Sequence, residues 1–272
     1  MTPAAVPADR QARLDGLLAD MGSALVAFSG GVDSAYLAAR AHRVLGPRSV
    51  AVTADSESLA AAQRAMAERV AREVGFRHLV ILTQEVADPL YARNAPDRCY
   101  HCKSELFRHL LPLATSLGLA RVVDGVNADD LSDFRPGRRA AAEAGVRSPL
   151  AEAGMTKDDV RALSRAMALP TWDLPASPCL SSRVPYGTAV TPVVLRTIER
   201  AEAAVRAQGF REFRVRHLGQ SARIEIAAAE MGRLADAGLR ARLEAAVRAE
   251  GYAEAVVDPE GYRRGRLNED LA

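Results

Sequence analysis

Lysine is nearly absent from this 272-residue chain: of its 36 basic residues, only Lys103 and Lys157 are not arginine. The alanine-rich helices share that compositional bias. Arginine's planar fork suits two-point contacts with phosphate and carboxylate, so clusters of arginine matter more here than their total. Acidic residues nearly balance that total, and a formal net charge of +2 is too small to argue for nucleic acid. A lysine-rich run, a zinc ribbon and interleaved aromatic and basic residues are all missing, so nucleic-acid binding is not expected. No apolar run approaches the roughly 20 residues needed to span a bilayer. The opening "MTPAAVPADRQARLDG" has no apolar core of the kind a secretory signal needs, so a cytoplasmic protein is expected, with no membrane partner. Cysteine is scarce as well. Cys99 and Cys102 stand at CxxC spacing in "PDRCYHC", and Cys179 follows far downstream in "PASPCLSSR". In a reducing compartment such a set points to metal or redox chemistry before a structural disulfide.

Short apolar runs alternate with helical periodicity through the first two thirds of the chain. "ALVAF", "SVAVTA", "HLVILT" and "RVVDG" read as buried strands, and the segments between them read as helices, two of them closed by Gly46 and Gly75. The CxxC is expected in a loop before a helix that starts near Lys103. This order predicts an α/β fold with a doubly wound parallel sheet. A further helix is expected behind Thr156 as N-cap. After "LPASPCLSSRVPYG" the pattern changes. Thr191 and Pro192 open a helix, "EFRVRHL" and "ARIEI" form a hairpin around "GQS", and a helix near 230–250 and a last strand "EAVVD" follow. The expected division is a nucleotide-type domain over 1–185 and a small α+β domain over 186–272. Trp172 is expected in the core.

"LVAFSGGVDSAYLAA" carries the chemistry. A strand, two glycines and a helix start bring backbone N–H groups and the positive end of a helix dipole to one point, which suits phosphate. The spacing is neither that of a Walker loop nor that of a dinucleotide fingerprint. "SGGVDS" resembles the PP-loop of the ATP pyrophosphatases, which cleave ATP between its α and β phosphates. The resemblance implies that Ser29, Gly30, Gly31, Asp33 and Ser34 grip the departing pyrophosphate, with Asp33 catalytic. It places Ala54 and Ser56 near the adenylate and Gly125, Asn127 and Asp129 in a second nucleotide loop, where a carboxylate helps to hold Mg²⁺. A solvated helix-capping loop is the plainer reading of Asp129 and Asp130.

"PDRCYHCKSELF", "DGVNADDLSDFRPG", "LPASPCLSSRVPYG" and "EGYRRGRLNE", in that order, are together similar to the LarE family of sulfurtransferases, over about residues 24–268. The family activates the carboxylates of pyridinium-3,5-biscarboxylic acid mononucleotide with ATP and converts them to thiocarboxylates for a nickel-pincer nucleotide cofactor. The resemblance implies a nucleotide substrate, a sulfide or other sulfur donor, and a homo-oligomer. It leaves two sulfur sources open. Cys179 is sacrificed and left as dehydroalanine, or Cys99, Cys102 and Cys179 hold a [4Fe–4S] cluster whose open iron carries exogenous sulfide. The cluster is the favoured expectation, because the sacrificial scheme gives the CxxC no role. A Cys₃His zinc site with His101, a redox dithiol and three unrelated buried cysteines are further readings. Ser182 and Arg183 beside Cys179, Arg214 and Arg216 at i, i+2, and Arg223 with Glu225 are expected at the substrate's anionic groups, against the alternative of a charged solvent face. A PP-loop tRNA thiolase is the nearest rival. An amidating enzyme and a non-catalytic nucleotide sensor are the others.

Overall fold

The computed structural model describes residues 8–131, 136–263 and 265–266. Residues 132–135 of the second motif quoted above, and 264 and 267–269 of the last, therefore lie outside the described residues. The chain divides into two compact units, one formed by 1–85 and 97–177, the other by 86–96 and 178–272. The expected boundary at 185 thus moves to 177/178, and an earlier segment joins the second unit. Its reason is local. Asn94 is fully buried, and its Nδ2 donates to the carbonyls of Val184, Pro185 and Thr188, while the Tyr91 hydroxyl meets Ser181 Oγ at 2.5 Å.

In the first unit, β1 (Ala24–Ala27), β2 (Ser49–Asp55), β3 (His78–Leu82) and β4 (Arg121–Val123) form a parallel sheet in the order β3-β2-β1-β4. The α/β expectation holds. Adjacent strand residues point to opposite faces, and each face has its own core. Ala24, Val26, Ala51 and Val123 pack with α1 (Ala8–Met21), α2 (Val32–Leu45), α3 (Ala61–Val74) and a helix described below. Leu25, Ala27, Val50, Val52 and Val122 pack with α4 (Arg98–Ser116) and α5 (Pro136–Glu143). Burial on both sides explains why these strands read as continuous apolar runs. The chain steps from β1 to β2 and β3 on one side and returns to β4 on the other. The crevice beyond the carboxyl ends of β1 and β4 is therefore the sheet's switch point, where ligands of such folds bind.

Helix α6 (Lys157–Ala166) completes the first unit. Thr156 caps it by accepting from Asp159 N at 3.2 Å, and the Asp159 carboxylate accepts from Thr156 N at 2.9 Å. This reciprocal pair is a capping box. The second unit holds α7 (Pro192–Ala207), the hairpin β5 (Phe213–Leu218) and β6 (Ser221–Ile226), α8 (Ala237–Ala249) and β7 (Glu254–Val257), the last parallel to β6. Thr191 caps α7 as expected. The helix expected across 230–250 is broken instead, because Asp236 caps α8 through the amides of Gly238 and Leu239.

Candidate functional site

Gly30 sits in the left-handed region at φ +75°, and a Cβ there would lie 2.9 Å from the Gln63 carbonyl and 3.0 Å from Ala67 Cβ. Glycine is demanded twice over, by backbone conformation and by the close approach of α3. Gly31 is the N-cap of α2. The loop is held from within, with Ser29 Oγ and Ser34 Oγ 3.0 Å apart and Ser34 Oγ donating to the Gly31 carbonyl at 3.2 Å. Gln63 Nε2 donates to the Ser29 carbonyl at 2.9 Å. Across the switch point, a Cβ on Gly125 would stand 2.9 Å from Ser34 N. The loop after β4 therefore lies directly on the first turn of α2.

Asp33 occupies the centre of this arrangement. Its Oδ1 accepts from Asn127 Nδ2 at 3.2 Å, and its Oδ2 pairs with the Lys157 ammonium. Asn127 is buried, and its Oδ1 accepts from the amides of Asp129 and Asp130 at 3.0 and 3.2 Å. Asp129 Oδ2 in turn accepts from Lys157 N at 2.8 Å. Ser29, Gly30, Gly31, Asp33, Ser34, Gly125, Asn127 and Asp129 thus form one continuous set. Lys157 belongs to that set, and the sequence reading did not single it out for this role. The available signals were its rarity and its place just after an N-capping threonine. Asp130 is a loop-closing residue, since its Oδ2 accepts from Asn127 N at 3.2 Å.

At the carboxyl end of β2, Ala54 lies opposite Ile81 of β3, and Ser56 follows the strand. Ser56 and Ser58 both donate to Oε1 of Glu85, a buried carboxylate that sequence reasoning also missed, with 2.6 Å for Ser58. Deeper in the sheet, Thr53 Oγ1 donates to the Phe28 carbonyl at 2.8 Å and meets His78 Nε2 at the same distance. The single hydroxyl proton is spent on Phe28, so His78 donates from Nε2. Burial pushes the His78 pKa below its usual value.

The CxxC is not in a loop. Cys99 and Cys102 lie in the first two turns of α4, which starts at Arg98. Neither is joined in a disulfide. Their i, i+3 spacing puts them on one helical face. Gly137 of α5 packs onto these turns, where a Cβ would be 3.2 Å from the Cys99 carbonyl and 2.9 Å from Lys103 Cγ. His101 Nε2 faces Asp97 Oδ2 at 3.4 Å, and the Lys103 ammonium lies 5.7 Å from the Phe107 ring centre. Trp172 is not in the core. It is 37% exposed, with the Arg165 guanidinium 4.9 Å from its ring centre and Arg161 donating to its carbonyl at 3.0 Å.

In the second unit, Cys179 is a free thiol at the N-cap of a 3₁₀ turn over Leu180–Arg183. Arg183 is buried beneath it. Its Nε and Nη2 donate to the two oxygens of Glu202 at 2.8 and 3.0 Å, and its Nη1 to the carbonyls of Pro178 and Cys179 at 2.6 and 3.1 Å and to Ser182 Oγ at 3.0 Å. Arg216 donates from Nε to Glu225 Oε2 at 2.9 Å and from Nη1 to the Ser182 carbonyl at 2.7 Å. Arg214 and Arg216 are buried, so this face of the hairpin is not a solvent face. Burial, then the charge of Arg183, lowers the Arg214 pKa from its usual value. The strand register sets Arg216 against Arg223, a like-charge pair, and Glu225 lies close to both, with its Oε1 3.5 Å from Arg223 Nη2. Arg266 adds ion pairs to Asp258 at 2.6 Å and Glu225 at 3.4 Å.

Among the described residues no group of three His, Cys, Asp or Glu side chains is gathered as a metal site. Cys99 and Cys102 belong to the first unit and Cys179 to the second. The three cysteines fit an iron–sulfur cluster in donor type, and two of them in spacing.

The family model for asparagine synthase, a PP-loop domain, matches residues 19–107, the stretch from the end of α1 through the CxxC. The pyridinium-3,5-bisthiocarboxylic acid mononucleotide synthase of Lactiplantibacillus plantarum is 36% identical over 265 residues, covering 97% of this chain and 95% of that protein. The chain belongs to the LarE family. Two other relatives carry no function in their names. Synechocystis protein slr1717 is 44% identical, covering 93% of this chain and 94% of its own length. Methanocaldococcus jannaschii protein MJ0830 is 33% identical over 134 residues, 49% of this chain and 52% of its own. As a LarE-family member with a PP-loop, the chain is an ATP-using enzyme. No described helix is long and apolar enough to cross a membrane.

Proposed function

We infer that the enzyme converts the ring carboxylates of pyridinium-3,5-biscarboxylic acid mononucleotide to thiocarboxylates at the expense of ATP. The observation that carries this reading is the end-to-end match to a synthase of the bisthiocarboxylic product, in a chain whose PP-loop is complete. A carboxylate oxygen is a poor leaving group. Attack of that oxygen on the α-phosphorus of ATP expels pyrophosphate and leaves an acyl adenylate. A sulfur nucleophile then attacks the acyl carbon and AMP departs, so one difficult displacement becomes two easier ones.

The residues divide between these steps. The amides of Gly30 and Gly31 and the start of α2 would cradle the pyrophosphate. Lys157, held by Asp33, supplies a positive charge where negative charge develops. Asp33 and Asp129 supply oxygen ligands of the kind Mg²⁺ prefers. Ala54 and Ser56 would flank the adenylate. Arg183, Arg214 and Arg216 outnumber Glu202 and Glu225, and with Arg223 they favour an anionic substrate beside Ser182 and Cys179.

Cys179 has a part in either sulfur source, as the donor itself or as a ligand of the group that carries the sulfur. In the sacrificial form its thiolate displaces AMP to give a thioester. Loss of the Cα proton then breaks the Cβ–Sγ bond, leaving the thiocarboxylate and dehydroalanine. In the favoured form Cys99, Cys102 and Cys179 would be thiolate ligands of a [4Fe–4S] cluster, which when bound supplies a place for exogenous sulfide. Anaerobic purification with iron and acid-labile sulfide quantified, then turnover with ATP, Mg²⁺, sulfide and the dicarboxylate nucleotide, tests the reading by mass spectrometry. Oxygen-for-sulfur exchange in the nucleotide is expected, with AMP and pyrophosphate formed alongside. Iron lost in each single Cys→Ala variant supports the cluster. An iron-free enzyme whose Cys179 loses its sulfur supports sacrifice, and absence of any thiocarboxylate product rejects the function.

A further inference from the structure

Arg183 and Arg216 were expected to hold substrate, yet in the structure their donors point at the protein's own backbone. Between them they bind the carbonyls of Pro178, Cys179 and Ser182, the peptide groups that surround the Cys179 side chain. A guanidinium can hold a loop only if it is itself immobile. Arg183 is fixed by a two-point bond to Glu202, and Glu202 Oε1 also accepts from Val215 N of β5 at 3.2 Å. Arg216 is fixed by Glu225, which is fully buried. Both carboxylates rise from regular elements, α7 and β6, so loop geometry is referred to rigid parts of the unit.

We propose that Glu202 and Glu225 are positioning residues, each anchoring a guanidinium that fixes the Cys179 loop, so that presentation of the sulfur depends on them without their contacting the reacting atoms. This rests on the functional reading of Cys179 given above. The proposal separates the two half-reactions. Adenylylation uses ATP held by the PP-loop and draws on the arginines only for the positive charge that attracts the substrate, which a change at Glu202 leaves in place. Sulfur transfer needs the clamp, because a displacement of about 1 Å at a reacting group costs up to roughly 100-fold in rate.

The test uses full-length Glu202→Gln. Glutamine keeps one oxygen for Arg183 Nε and turns an N–H group toward Nη2, which breaks the two-point bond. Glu202→Asp, which keeps the charge but is one methylene too short for the two-point bond, carries the test if the first variant yields no soluble protein. Pyrophosphate release and thiocarboxylate formation are measured separately, together with hydrogen–deuterium exchange of the 178–184 and 29–35 peptides. The expected result is native pyrophosphate release, transfer slowed on the order of tenfold, and faster exchange in 178–184 alone. There the amides of Ser182 and Val184 close the turn onto the carbonyls of Cys179 and Ser181. Native exchange in 178–184, or an equal fall in both half-reactions, overturns the proposal. If the native chain forms no thiocarboxylate, the functional reading fails, and the exchange data alone still decide the clamp.

Discussion

At the scale of single residues, Lys157 carries the sharpest consequence. It is the cation paired to the PP-loop aspartate, and its own amide bonds Asp129. Lys157→Met should reduce ATP-dependent pyrophosphate release by roughly 100-fold, the usual cost of removing one preorganised group that stabilises developing charge. Circular dichroism should show the fold unchanged, and release at the native rate would remove Lys157 from the site. Gly125→Ala makes a complementary case. A methyl group 2.9 Å from Ser34 N must push the first turn of α2 away from the loop after β4. ATP affinity, read by titration calorimetry, should fall, while residues 178–184 keep their native exchange.

At the scale of elements, the start of α6 couples stability to the site. Thr156→Ala removes half of a capping box and should cost about 1 kcal/mol of stability in a denaturant titration. Because Lys157 is the next residue, the same change should weaken ATP binding, whereas an N-cap change at Thr191 should not. The sheet and the phosphate loop were legible because strands buried on both faces leave unbroken apolar runs, and because "SGGVDS" is a local signal in consecutive residues. The start of α4 was not. Asp97 stands at its N-cap and was an available signal, but "RCYHC" has mixed polarity and no apolar periodicity to carry the helix back to it. Lys157 and Glu85 were missed for a different reason. Each reaches its partner across a long loop closure, Lys157 to Asp33 and Glu85 to Ser56, and no spacing rule encodes such a meeting. The burial of Arg214 and Arg216 was hidden in the same way, since alternation along β5 reads alike whether the charged face meets water or Glu202 and Glu225.

For the molecule as a whole, two histidines set an acid limit. Burial depresses the pKa of His78 in the first unit and of His217 in the second. In each the neutral form is favoured by folding, and the unfolded chain takes up the proton first. Stability is therefore fully present above the ordinary histidine value of about 6.5 and falls as pH drops from there toward the depressed folded values. The thermal midpoint should decline as pH is lowered from 7.5 to 5.5, and His78→Gln should flatten part of that decline; an unaltered slope would mean that His78 is not among the groups responsible. The second unit is also assembled from two distant stretches of chain, 86–96 and 178–272. During synthesis, Tyr91 and Asn94 leave the ribosome long before residues 181–190 exist to receive them. Tyr91, wholly buried in the finished protein, must wait in the open while more than eighty residues are added. A fragment ending at Ser177 would keep that ring exposed permanently, so neither unit can be expressed alone by a single cut without stranding part of the other.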